Sequence, residues 1–394
     1  MTPNTAHETN RKVPRRSRFG CRNCKLRKLK CDERRPNCRK CCSFGISCNF
    51  MLNVPDLQPI VMDTNTPMTR KETSPQPAIS SSIWTYDRFT CYELNTRCQD
   101  FLSRYLERSL VTPYDPNMVH VNRRLLRLAF SYPCLMHASL AVAYTYDRYL
   151  NNPQDKHRSL SECYHWSQGT KIFNKQLREP IEAKDRDPIW GTAAALAILS
   201  FSSPDAKTSE ESWPLCASKE ADLAWLRMSK GKNSLWIIVN PIREDSIFNI
   251  MTEAFAKMFS PLPEMGIDGI PTYLVTLCHL VNSSTAGNNP YFCATHALSR
   301  LLDIPDTEVS TGNTQIFTMS IHTAFEELLH KKDPVALLLL YLWYRKAGRC
   351  IWWIGLRARV EGPSICSYLQ LYHKDNSEIQ AVLAGDDSVG FETR

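Results

Sequence analysis

Six cysteines carry the most legible chemistry in this chain. They stand at Cys21, Cys24, Cys31, Cys38, Cys41 and Cys48, separated by two, six, six, two and six residues. The segment is a tandem, because Cys21, Cys24 and Cys31 recur as Cys38, Cys41 and Cys48 with an offset of 17 positions. Thiolate is the preferred donor for structural zinc, which takes four ligands in a tetrahedron. Six sulfurs cannot fill two separate four-donor sites, but they can if two of them bridge. The symmetry gives that part to Cys21 and Cys38, the first cysteine of each half. Each Cys-x-x-Cys pair is expected at a helix start, where exposed N–H groups stabilise thiolate. A segment this short has almost no apolar core, so metal must supply its folding free energy. Cys42 breaks both the Cys-x-x-Cys spacing and the six-residue gap to Cys48, and is expected to be a spectator.

Basic residues surround these sulfurs. Arg22, Lys25, Arg27, Lys28 and Lys30 fall in the first half, Arg39 and Lys40 in the second. Residues 11–50 hold 14 Lys/Arg against 2 Asp/Glu, whereas the whole chain of 394 residues carries a net charge of only +8. The rest is therefore slightly acidic, and the positive charge is local. Such a patch fits a polyanion partner for one segment rather than a uniformly adhesive protein. Lys and Arg are the side chains that bond guanine O6 and N7 in the major groove, and a short helix can deliver them there. Others of the set would contact phosphate, adding affinity without sequence choice.

Four regions position this chemistry. Residues 1–20 read as a basic, disordered arm able to lie along phosphates and to serve as a nuclear-import signal. Residues 21–48 are the cysteine module. Residues 49–83 read as a Pro/Ser/Thr-rich linker, with prolines at 55, 59, 67, 75 and 77 that preclude a helix. It has no apolar heptads, so a zipper is not expected there. Residues 84–394 show apolar residues at three- and four-residue spacing over 84–110, 121–150, 157–177, 189–201, 246–259, 314–329 and 334–360. Prolines, Pro363 among them, should break these runs, and 235–239 is the one short stretch that looks like a strand. The fold class is thus a small N-terminal binuclear zinc-cluster module, joined by a Pro-rich linker to a mostly α-helical domain.

The sixteen cysteines do not argue for a secreted disulfide scaffold. The first residues lack the apolar core of a signal peptide, so a reducing compartment is expected and the scattered cysteines should be small buried hydrophobes. The apolar run near 335–344 is too short for a membrane span.

The module as a whole resembles the fungal binuclear zinc-cluster transcription factors. The resemblance rests on Cys21-Arg-Asn-Cys24-Lys-Leu-Arg-Lys-Leu-Lys-Cys31-Asp-Glu and on Pro36-Asn-Cys38-Arg-Lys-Cys41. It implies two zinc ions on the six cysteines, Cys21 and Cys38 bridging. It implies double-stranded DNA as partner and the nucleus as location. Lys28 takes the family's base-contacting position on a CGG-type triplet, with Arg27 beside it and Pro36 turning the loop between halves. Lys25, Lys30 and Arg22 would then lie against phosphate.

In the helical region, Trp190-Gly-Thr-Ala-Ala-Ala with Trp213 and Trp225, and Cys350-Ile-Trp352-Trp353-Ile-Gly, look similar to the effector domains of sterol-uptake-control regulators. That implies a domain able to form a homodimer and to hold an apolar small-molecule ligand. Packing alone makes these tryptophans core aromatics. Enzyme signatures are missing: no His-Glu-x-x-His, Walker loop, Gly-x-Gly-x-x-Gly or Gly-x-Ser-x-Gly occurs. Ser229 and Lys232 form a Ser-x-x-Lys without its partner motifs, which is expected to be coincidence. The expected function is a zinc-dependent, sequence-specific transcription regulator of a metabolic pathway. Two alternatives are a sterol-responsive regulator, and a zinc-bearing scaffold or enzyme that binds nucleic acid through charge alone.

Overall fold

The computed structural model describes residues 19–26, 29–35, 38–42, 48–50, 82–84, 91–93, 116–151, 158–204, 206–219 and 222–386. The chain divides into two compact units, residues 1–94 and 95–394. The N-terminal arm before residue 19 and most of the Pro-rich stretch lie outside the described residues.

The first unit holds two short helices, α1 (Arg22–Leu26) and α2 (Arg39–Cys42), and an antiparallel pair of strands, β1 (Ser82–Trp84) and β2 (Cys91–Glu93). Ile83 lies opposite Tyr92 in that pair. The helical periodicity read over 84–110 therefore fails at Trp84 and at Cys91–Glu93. These stretches are rich in aromatic and β-favouring types, and cross-strand pairing prevails over a short helical repeat.

The second unit is helical: α3 (Pro116–Ala129), α4 (Pro133–Asn151), α5 (Leu160–Gln176), α6 (Arg186–Phe201), α7 (Ala224–Val239), α8 (Thr252–Met258), α9 (Thr272–Leu277), α10 (Phe292–Asp303), α11 (Thr311–Ser320), α12 (Thr323–His330), α13 (Pro334–Cys350), α14 (Trp352–Tyr372) and α15 (Ser377–Asp386). The starts are written in the sequence. Ser159 caps α5 by accepting from the Glu162 amide at 3.1 Å. Asp333 caps α13 by accepting from the Ala336 amide at 2.9 Å, with Pro334 as first helical residue. Ser310 and Asn313 form a capping box on α11.

Two helices sit at the centre. α4 is buried along nearly its whole first half, from Cys134 to Ala143, and packs on α5 and α6. α13 is buried continuously from Ala336 to Gly348 and returns through Ile351 into α14. The two backbones of that hairpin meet closely. A Cβ on Gly355 would lie 2.6 Å from the Gly348 carbonyl oxygen, so this crossing needs glycine.

The buried carboxylates of the helical unit are matched. Arg357 donates from Nε to the Phe201 carbonyl at 2.6 Å and from Nη2 to the Ser200 carbonyl at 3.2 Å, closing the C-terminus of α6. It also pairs with Glu361, which accepts from the Tyr344 hydroxyl at 2.6 Å. Burial, and then the Glu361 charge, push the Tyr344 phenol far above its usual range. At the other end of α6, Asp187 accepts from Arg243 Nη2 at 2.6 Å, Ser246 Oγ at 2.9 Å and the Ile247 amide at 2.9 Å. Between α4 and α5, Glu162 accepts from Arg148 and Thr145, and the Nδ1 atoms of His137 and His165 stand 2.8 Å apart. Burial keeps both rings neutral, pulling His165 down to about 3, so one ring donates to the other.

Several local expectations change. The strand-like stretch 235–239 is the last turn of α7: Leu235 and Val239, four apart, are buried, while Ile237 between them is 83% exposed. Pro363 lies within α14 instead of ending it, held there by the burial of Glu361, Gly362, Ser364 and Ile365 around it. The run 121–150 is two helices, α4 beginning at Pro133. Among the described cysteines after residue 90, Cys134 and Cys278 are buried, whereas Cys163 is exposed. Trp190, Trp213, Trp225, Trp352 and Trp353 are all buried. Among the described residues, no helix is long and apolar enough to cross a membrane.

Candidate metal centre

The two Cys-x-x-Cys pairs open α1 and α2 in the same way. Cys21 and Cys38 each stand one residue before their helix. The Cys24 amide donates to the Cys21 sulfur at 3.4 Å, and the Cys41 amide to the Cys38 sulfur at 3.3 Å. Each leading cysteine thus acts as an N-cap, its sulfur collecting a helix-start N–H. The sulfur of Cys31, third of its half, takes the Glu33 amide at 3.3 Å.

The six sulfurs converge. Cys21, Cys24, Cys31 and Cys38 form one group and Cys21, Cys38, Cys41 and Cys48 a second, the sulfurs of each lying within 4.8 Å of one another. The residues common to both are Cys21 and Cys38, the pair that the tandem symmetry singles out. Their sulfurs are 3.9 Å apart, Cys24 to Cys38 is 3.6 Å, Cys21 to Cys41 is 3.5 Å and Cys21 to Cys31 is 4.0 Å. A zinc–sulfur bond of about 2.3 Å sets a tetrahedron edge of about 3.8 Å, so the donor set fits two metals sharing an edge. All six cysteines are buried, and with partly buried Phe50 they form a cluster of their own.

Burial lifts the thiols of Cys24, Cys41 and Cys31, and takes that of Cys48 up to about 12. Cys38 goes the other way. Burial opposes its ionisation, but the Cys41 amide and neighbouring thiols outweigh it and bring it to about 7. Zinc bound here supplies the positive charge that lets such sulfurs lose their protons together.

Polar struts outside the cysteines complete the module. Asp32 accepts from the Arg39 amide at 3.1 Å and caps α2. Asn49 accepts from the Asn23 amide at 2.7 Å through its side chain and from the Arg22 amide at 3.4 Å through its carbonyl, returning the chain to α1. The Arg35 guanidinium lies 5.2 Å from the centre of the Phe50 ring. Cysteine spacing does not reveal Asn49 or Phe50. Their signal is position, immediately after the last cysteine.

Arg22, Lys25 and Lys30 are exposed. Arg27, Lys28 and Pro36 lie outside the described residues, as does the side chain of Cys42, whose backbone closes α2.

Comparison with known proteins places residues 19–54 in the Fungal Zn(2)-Cys(6) binuclear cluster domain. The chain is similar to a Zn(2)-C6 fungal-type transcription factor of Gibberella zeae, 45% identical over 56 residues, which is 14% of this chain and 11% of that protein. It is similar to the Zn(2)-C6 fungal-type transcription factor afumD of Aspergillus fumigatus, 22% identical over 352 residues, 82% of this chain and 83% of that protein. It is also similar to Sterol uptake control protein 2 of Saccharomyces cerevisiae, 48% identical over 40 residues, 10% of this chain and 4% of that protein. The Gibberella and Saccharomyces similarities therefore span only small parts of those proteins. The one with afumD runs on well beyond the cysteine module.

Proposed function

Because residues 19–54 are a fungal Zn(2)-Cys(6) binuclear cluster domain, which binds two zinc ions, we propose that this chain is a nuclear, sequence-specific regulator of transcription by RNA polymerase II. The observation that carries the reading is the pair of four-sulfur groups sharing Cys21 and Cys38, with basic side chains exposed beside them. In it the six cysteines hold the metals, Cys21 and Cys38 as bridges. Lys28 and Arg27 read the bases of a CGG-type triplet from the major groove, and Lys25, Lys30 and Arg22 hold phosphate. The helical unit is the regulatory domain, able to self-associate and to hold an apolar ligand. Its target is a metabolic or secondary-metabolite pathway of a fungus.

The test is competition binding with the zinc-loaded chain. A CGG-bearing duplex should win over a scrambled one, and that preference should survive added salt better than total affinity does. Equal binding to both duplexes at every salt concentration would overturn sequence reading and leave a zinc-bearing scaffold held to nucleic acid by charge.

A further inference from the structure

The helical unit holds a partly open cavity of about 180 Å³. One wall is a single stripe of α7: Trp225, Met228, Ser229 and Lys232, at positions i, i+3, i+4 and i+7. The facing wall includes Phe255 and Met258 of α8, and α11 adds the polar Thr311, Gln315 and Thr318. This stripe gives Ser229 and Lys232 a shared place, which the absence of an enzyme motif had not supplied.

The α11 hydroxyls and the Gln315 amide can both donate and accept, but three groups on the walls are donors alone. The indole N–H groups of Trp225 and Trp353 are buried and, among the described residues, have no hydrogen-bond partner. Both indoles line the cavity, and both meet Phe201 edge-on, with ring centres 4.8 Å and 5.0 Å from it. They therefore mark one pole. Lys232 marks another, seven residues along α7, or roughly 10 Å at the rise of a helix. Its ammonium lies 5.4 Å from the centre of the Trp190 ring, and no carboxylate partner accompanies it among the described residues. It is partly buried in accessible area, yet packed densely enough that desolvation pulls it down to about 8. Indole and ammonium can only donate. A buried donor left unmade costs about 1–3 kcal/mol, more when charged.

We propose that this cavity receives an elongated apolar molecule carrying oxygen acceptors at two points, one of them a carboxylate. The carboxylate meets Lys232, and a carbonyl or ether oxygen roughly 10 Å away meets the indoles of Trp225 and Trp353. The class is that of oxo or alkoxy carboxylic acids with a mainly hydrocarbon body. A neutral sterol, with one hydroxyl, satisfies only one pole. This inference rests on the reading of the helical unit as a ligand-holding regulatory domain, and it names the ligand's chemistry.

The experiment uses the full, zinc-loaded chain and follows tryptophan fluorescence and melting temperature. The probes are decanoate with a ketone on its penultimate carbon, the methyl ester of that acid, plain decanoate, and ergosterol. The keto acid should bind saturably and raise the melting temperature, its ester should bind at least tenfold more weakly, and plain decanoate should fall between. Lys232→Met should abolish the preference for acid over ester. Trp225→Phe, which keeps a ring and removes the donor, should abolish the preference for the keto acid over decanoate. Each variant's melting temperature without probe shows that it is folded. Equal binding of acid and ester, or saturation by ergosterol alone, overturns the proposal. CGG-duplex competition on the same samples separates the two readings. Duplex preference without acid binding sinks this inference only, and acid binding without duplex preference sinks the regulator reading only.

Discussion

The cysteine module and the helical unit bury their interiors by opposite means. In the module the buried cluster is six sulfurs with Phe50 at its edge, and among the described residues no aliphatic side chain joins it. In the helical unit the interior is long apolar helices, and the buried carboxylates within are answered by protein: Glu361 by Arg357, Glu162 by Arg148, Asp187 by Arg243. One region depends on an atom it must acquire, whereas the other carries its own partners. Metal loss and core substitution should therefore strike different halves of the chain.

The largest expected effect is that of chelation. Structural zinc contributes on the order of 10–16 kcal/mol to small cysteine modules at neutral pH. Stripping zinc should abolish duplex binding while the heat-unfolding transition of the helical unit stays within a few degrees. Metal content, duplex binding and calorimetry on one preparation check this, and a helical transition that collapses with the metal would erase the contrast. Acid should act as a mild chelator. Burial raises the thiols of Cys24, Cys31, Cys41 and Cys48, so protons must leave them as zinc enters. Zinc affinity should then rise with pH and fall as acid returns those protons, measurable by competition with a colorimetric chelator.

The converse break lies in the helical unit. Arg357→Met leaves the Glu361 carboxylate buried without its cation and uncaps α6, and should cost about 3–5 kcal/mol. Zinc content should not change. Adding Glu361→Leu should recover a large part of the loss, because the stranded charge causes most of it. Denaturant unfolding of the single and double variants decides this, and a double variant no more stable than the single would show that the pair acts through packing.

The two regions were also unequally legible from sequence. Metal ligation demands residue types at set spacings, so the convergence of six cysteines, with Cys21 and Cys38 common to both four-sulfur groups, could be anticipated from spacing alone. The helical unit announced its helices, but its decisive contacts are non-local. Arg357 reaches the end of α6 from 156 positions away, and no periodicity marks that pairing. Local rules failed where packing outweighed them. Pro363 stays inside α14 because its neighbours are buried, and 235–239 continues α7 because Leu235 and Val239 share a buried face. Asn49 and Phe50 escaped notice because they support the module through a backbone bond and a ring, which no spacing rule encodes.

A finer test separates reading from holding within the module. Lys28→Ala should reduce the preference for CGG over scrambled duplex by about 1–3 kcal/mol while both zinc ions stay bound. Lys25→Ala should weaken both duplexes alike and reduce the slope of affinity against salt by about one unit. Titrations of both duplexes across a salt series give the two quantities together. The assignment fails if the two substitutions exchange signatures.

The smallest expected effect is the most exacting for the ligand set. Cys42 is the neighbour of Cys41, and each offers a thiol at the end of α2. The Cys41 sulfur lies 3.5 Å from Cys21 and in a four-sulfur group with Cys38 and Cys48, and only Cys41 keeps the Cys-x-x-Cys spacing and the six-residue gap to Cys48. Cys42→Ser should therefore retain two zinc ions and shift duplex affinity by less than about 0.5 kcal/mol, the range of surface substitutions. Cys41→Ser should lose metal and the fold of the module. Serine is nearly isosteric with cysteine but a poor zinc donor, so the comparison isolates ligation from packing. If both variants lose metal equally, Cys42 shares the site and the six-sulfur arrangement is wrong by one ligand. If only Cys42→Ser loses it, the register of the second half is shifted by one residue.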